Sequence, residues 1–228
     1  MPETQEITAL LELERAEERF FVEHLTAAER AAQGTQERPA PKDFFAHAIA
    51  GKQQMHAALV AARTRRTPSL AHERTKVFEA NAGRSFESIE QDADRVGPAL
   101  QSEVEHLDAA TLGSAPAWIT EDTLADEIVQ QCVTHALVHL FEPLCKRGDT
   151  GEALRTQMRF VAALPNDTGT LQRSRALYNL GCLYVRAGRD DDAVTAISQA
   201  TELRPSLIEH ARSDPELRGI RGRLADPG

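Results

Sequence analysis

Apolar residues recur every three or four positions along four long stretches of the first 147 residues, and this spacing constrains the fold more than any other feature of the chain. On a helix of ~3.6 residues per turn such positions share one stripe, which must be buried against another element. Ile7, Leu10, Leu11, Leu13, Phe20, Phe21 and Leu25 define the first stripe, and the spacing predicts a helix over 4–30. Phe44, Ala48, Met55 and Leu59 predict a second, from about Lys42 to Ala62. Phe86, Ile89, Val96, Leu100, Val104 and Leu107 predict a third, N-capped by Ser85 and kinked at Pro98. The fourth runs from near Glu121 to Arg147, with Pro143 near its end and Gly148 as the stop signal. It is apolar on two sides: Val133, Leu137, Leu140 and Leu144 form one stripe, and Leu124 and Ile128 lie near the opposite side. Polar loops carrying Pro and Gly separate the stretches, with a short helical piece expected around His72–Ala80. Four long amphipathic helices with moderate loops specify an all-α, up-down four-helix bundle.

Beyond Gly148 the chain repeats itself. Gly148, Ala153 and Pro165 recur as Gly188, Ala193 and Pro205, each 40 residues on. The stretch Leu177-x2-Leu180-Gly181-x2-Tyr184, then Ala193-x3-Ile197, then Pro205, resembles the tetratricopeptide repeat. Small Gly181 and Ala193 let two antiparallel helices approach, and Asp190, Asp191 and Asp192 suit the positive end of a helix dipole. In the earlier copy Gly151–Leu164 would be the second helix, and Thr134–Arg147, shared with the fourth bundle helix, the first. Two repeats are fewer than the ~3 a solenoid needs, so they are expected to dock on the bundle as one continuous body. The resulting division is 1–148 for the bundle and 149–228 for the repeats and a capping tail. Within that tail, Ser206–Leu224 reads as a helix, a turn at Asp214-Pro215 and a frayed end.

Composition narrows the function classes. With 26 Lys and Arg against 35 Asp and Glu, the formal charge of −9 argues against a nucleic-acid binder. No stretch approaches the ~20 apolar residues of a membrane span. The Glu-rich N-terminus lacks the basic start and apolar run of a signal peptide. Cys132, Cys145 and Cys182 make an odd count without CxxC spacing, so a reducing cytoplasm is the expected compartment. There is no phosphate-binding glycine loop and no GxSxG, which leaves nucleotide binding and the α/β-hydrolase route unsupported. Arg63, Arg65 and Arg66 read as a solvated basic loop, and Glu87, Glu90, Asp92 and Asp94 as a wet helix face.

One constellation points to chemistry. His135 and His139 stand four apart on the fourth helix, so both imidazoles project from one face and can share a metal ion. Cys132 lies within ~60° of both on the helical wheel, and Glu142 follows His139 by three residues. Cys132 is either a fourth ligand or a small buried apolar residue; Glu142 is placed to orient a ligand histidine. A third ligand must come from another helix, where His47 and His56 flank the apolar stripe on opposite sides.

Residues 4–147 resemble the DinB-like four-helix-bundle superfamily, and within it the ClbS/DfsB type. The resemblance rests on Lys42-Asp43-Phe44-Phe45-Ala46-His47, on Phe78-Glu79-Ala80-Asn81 ahead of Ser85–Ile89, and on Thr134-His135-Ala136-Leu137-Val138-His139. It implies that His47, His135 and His139 form the metal site, with His56 outside it. It implies a divalent ion, Zn²⁺ or Ni²⁺. It also implies the chemistry of a hydrolase acting on reactive electrophiles, or of an S-transferase using a low-molecular-weight thiol, in detoxification or stress response, and a homodimer. The alternative is a non-catalytic scaffold whose tetratricopeptide-like repeats bind a protein partner.

Overall fold

The structure, a computed structural model, describes residues 4–70, 74–164 and 170–224. The described residues are helices and their connections, without a strand among them, so the all-α expectation holds. Two expected features, His72 and the repeat proline Pro165, lie outside the described residues. The chain separates into two compact units, divided between Pro143 and Leu144 rather than at the expected 148/149. No helix among the described residues is long and apolar enough to cross a membrane.

The first unit contains α1 (Thr4–Glu23), α2 (Ala27–Ala31), α3 (Pro41–Arg63), α4 (Arg74–Asn81), α5 (Phe86–Glu105), α6 (Ala109–Leu112) and α7 (Leu124–Val129). A π-helical turn over Gln130–Thr134 carries α7 without interruption into α8 (His135–Arg147). Helix α5 packs on α3 and α1, while α7 and the π turn pack on α1, and the π turn also on α3. The stripes seen in the sequence meet inside: Ile7, Phe45, Ile49, Met55, Ile89 and Val133 are at most 2% exposed. Burying each such side chain stabilises by roughly 1.5–3 kcal/mol before entropy is counted.

Two details depart from the sequence expectations. The helix predicted over 4–30 stops at Glu23, and α2 restarts behind Thr26. The Thr26 hydroxyl accepts from Glu29 N at 3.2 Å, and the Glu29 carboxylate accepts from Thr26 N at 2.8 Å. This capping box is legible as Thr26-x-x-Glu29. Helix α5 is N-capped by Ser85, as expected, and runs on through Pro98, as α8 does through Pro143. The two-sided apolar pattern of the fourth helix reflects burial on every side, since all six residues of α7 are at most 9% exposed. The π turn over Gln130–Thr134, which the spacing does not predict, shifts the stripe between Ile128 and Val133.

The second unit holds the end of α8 with α9 (Thr150–Ala163), α10 (Thr170–Arg186), α11 (Asp190–Leu203) and α12 (Leu207–Ser213). Helix α10 packs on both α9 and α11. The 40-residue recurrence is visible in the helix ends. Asp149 N donates to Leu144 O and Arg189 N to Tyr184 O, both at 2.9 Å, while Gly148 N donates to Cys145 O and Gly188 N to Val185 O. Both glycines sit in left-handed backbone, at φ +95° and +70°, as this cap demands. At Gly181 the helices touch: a Cβ there would lie 2.6 Å from Ile197 Cδ1. The tail is anchored, not frayed as far as it is described. Leu217 and Ile220 are fully buried, Tyr178 Oη donates to Asp214 Oδ2 at 2.8 Å, and Arg186 pairs with Glu216.

Candidate metal centre

The entrance to α3 is built by its own residues. Pro41 opens the helix, and Asp43, three residues after Ala40, accepts from Ala40 N at 2.8 Å. Lys42 is 1% exposed, yet its Nζ donates to Gln33 Oε1 at 2.8 Å, Arg84 O at 3.1 Å and Ala82 O at 3.3 Å. Those bonds tie the α2–α3 and α4–α5 connections to the start of α3 and fix the register one turn before His47. His47 is 8% exposed and points inward.

The opposing wall is the π turn. Just before it, Glu127 is fully buried and accepts from Thr120 N at 2.7 Å, Glu121 N at 2.9 Å, Thr120 Oγ1 at 3.0 Å and Gln131 Nε2 at 3.0 Å. One carboxylate therefore holds the incoming loop and the first turn of the π segment together. Gly51, one turn beyond His47, lets the segment come close: a Cβ at Gly51 would meet Gln131 O at 3.3 Å and His135 Nδ1 at 3.9 Å.

His135 starts α8 directly after the π turn, and His139 follows one turn later. The three rings converge. The His47 centroid lies 5.0 Å from that of His135 and 4.4 Å from that of His139, and His135 and His139 are 4.4 Å apart, all edge-to-face. One ligand nitrogen from each ring falls within 4.8 Å of the other two. Ligand atoms this close can reach one ion at the ~2.0–2.1 Å usual for metal–imidazole bonds, so the donor set suits a divalent ion that favours imidazole. Beside the rings, Phe44, Val77, Phe78, Pro39, Asp43 and Gln36 line a recess reaching His47 and His139. Its free volume of about 20 Å³ is room for one water-sized group.

The other sequence candidates fall elsewhere. Neither Cys132 nor Glu142 joins the group of converging ligand atoms. Cys132 is fully buried, and burial pushes its thiol well up, with Lys52, Glu14 and Glu127 close enough to act on it electrostatically. It serves as a small apolar side chain, the second of the two readings open for it. Glu142 is half-buried. His56 acts on Glu103 of α5, whose carboxylate is held low chiefly by its hydrogen bond from Arg63. Asp92 is not on a wet face: it is 9% exposed and pairs with Arg84 at 2.7 Å and with Arg95. Gly51, Glu127 and the π turn lie outside the sequence-based expectations, and neither Gly51 nor Glu127 carries a signal in the spacing of apolar residues. No protein-family model, curated protein or solved structure matches the chain.

Proposed function

We propose that His47, His135 and His139 together hold one divalent ion, Zn²⁺ or Ni²⁺, and that the protein is a metal-dependent DinB-like enzyme of the ClbS/DfsB type, a hydrolase or thiol S-transferase. The observation that carries this reading is the approach of three imidazole nitrogens, from two helices far apart in sequence, to within 4.8 Å of one another. Chance pairs at i and i+4 are common; a third ring delivered by another helix, beside a glycine that opens the way, is not explained by packing alone. A bound ion there supplies Lewis acidity and lowers the pKa of a coordinated water or low-molecular-weight thiol. The chain's own residues do the rest. Phe44, Val77 and Phe78 exclude bulk water from one side of the rings and offer an apolar body a surface, while Glu127 and Lys42 hold the two walls in register. The three free thiols support a reducing compartment such as the cytoplasm.

Titration of chelator-stripped protein with Zn²⁺ against a chromogenic competitor tests this. One equivalent should bind, His139→Ala should weaken binding at least 100-fold, and His56→Ala should leave it unchanged. Folded protein that ignores Zn²⁺ and Ni²⁺ overturns the reading.

A second reading, a non-catalytic scaffold whose tetratricopeptide-like repeats bind a protein partner, draws on the matching helix ends at Gly148 and Gly188. The tail weighs against it, because Asp214 and Glu216 are bound to Tyr178 and Arg186 of α10 and take up part of the surface of the repeats. An adaptor tolerates loss of His139 without any change in ligand binding; the enzyme does not.

A further inference from the structure

One carboxylate stands on the wall of the recess beside the three imidazoles. Asp43 lies one turn before His47 on α3, so the two side chains share a face of that helix. It lines the recess together with His47 and His139, and it is 8% exposed. Its Oδ2 accepts from Ala40 N at 2.8 Å. Gly34 packs so closely against it that a Cβ there would overlap Asp43 Oδ2, which leaves the side chain one place to be. The bond to Ala40 is its one hydrogen bond among the described residues, so Asp43 Oδ1 is left for whatever enters the recess.

The rest of the wall does not offset that charge. Phe44, Val77, Phe78 and Pro39 present carbon, and the Gln36 amide is turned to Thr75, donating to its Oγ1 at 2.6 Å. Neither Lys nor Arg lines the recess among the described residues. Buried away from bulk water, a carboxylate attracts a hydrogen donor more strongly and repels a second negative charge more strongly. The free volume of about 20 Å³ admits one water-sized group.

We infer that Asp43 decides which ligand the open position of the metal centre accepts: a neutral hydrogen-bond donor, water first, in preference to a thiolate or another anion. The inference rests on the metal reading above and narrows it to the hydrolase. A water that donates to Asp43 Oδ1 keeps its lone pairs for the ion. A coordinated thiol gives up its proton and then stands as an anion against Asp43, with a larger atom in the same small space. A cap alone accounts for the bond to Ala40, and asparagine would serve there equally. The seat in the recess is what the charge adds.

The full chain loaded with Co²⁺, whose visible absorption reports the ligands on the ion, tests this by titration with azide and with 2-mercaptoethanol. Wild type should bind both weakly and show no thiolate-to-metal charge-transfer band at millimolar thiol. Asp43→Asn keeps the bond to Ala40 N through its amide oxygen and removes only the charge. It should bind each anion at least tenfold more tightly. Phe78→Ala widens the recess without altering its charge and should leave azide affinity within threefold of wild type. Protein that takes up no Co²⁺ overturns the metal reading, and this inference with it. With Co²⁺ bound, a strong thiolate band in wild type, no gain in azide affinity in Asp43→Asn, an equal gain in Phe78→Ala, or loss of Co²⁺ from Asp43→Asn each overturns the role of Asp43 and leaves the metal centre standing.

Discussion

The Nε2 atoms of His135 and His139 stand 2.9 Å apart, and the His47 ring meets both edge-on. At that separation two N–H groups cannot face each other, so at least one of the two nitrogens turns a lone pair toward its neighbour. A lone pair aimed into a shared space is what a metal ligand must offer. Simple core packing would place carbon there.

Glu14 and Glu18 of α1 share Lys52 of α3, whose Nζ bonds Glu14 and lies 2.7 Å from Glu18 Oε1, and none of the three is more than 5% exposed. These buried ions should make stability depend on pH in an unusual sense. Because burial, and then Glu18, hold Glu14 of the folded state well above its ordinary value of 4.5, the stability this group contributes is complete below that value and is lost as pH rises through the folded one. Glu14→Gln removes the titration and leaves Lys52 a single partner. Relative to wild type, the variant should therefore gain stability between acid and mildly alkaline pH, on the order of 1 kcal/mol. Thermal melts at pH 5 and pH 9 measure this; parallel shifts of the two proteins would refute it. Lys52→Met, which strands two carboxylates, should cost more, roughly 3–5 kcal/mol.

Helix α10 should tolerate no side chain at position 181. With Ile197 Cδ1 and Cγ1 both 2.6 Å from the added Cβ, Gly181→Ala should destabilise the second unit by roughly 1–3 kcal/mol. Ile197→Ala opens the same space. The double variant should thus cost clearly less than the sum of the single changes in urea unfolding, and strict additivity would rule out the contact.

Arg65 closes α3 with φ +57°, and Arg66 N donates to Ala61 O at 2.8 Å. This is the same cap that Gly148 and Gly188 form, made with a residue that bears a Cβ. Arg65→Gly should raise stability by up to about 1 kcal/mol, since it relieves the left-handed strain and Arg65 is exposed. A lower unfolding midpoint would contradict this.

Regular spacing made the long helices legible, along with Ser85 and the glycine caps, because each depends on neighbours in sequence. The pair His135 and His139 was legible for the same reason. The choice of His47 over His56 was not a matter of spacing: it depends on how α3 is rotated, which Lys42 fixes through bonds to residues 33, 82 and 84. The two-sided apolar pattern of the fourth helix reads as burial on two sides, and α7 is indeed buried all round; the π turn has no signal of its own in that pattern. Glu127, and the Glu14–Lys52–Glu18 group, look like ordinary surface charges on a helical wheel. The burial of that group is a tertiary fact, visible only once Glu14 and Lys52, 38 residues apart in sequence, are brought together, whereas Glu127 is held by nearby Thr120, Glu121 and Gln131.

Elemental analysis of the protein as purified tests the metal centre most directly. Wild type should carry close to one equivalent of Zn or Ni per chain, and His47→Ala and His139→Ala, with unchanged circular dichroism, should carry next to none. Metal-free wild type that is fully folded, or histidine variants that retain the ion, would contradict the account.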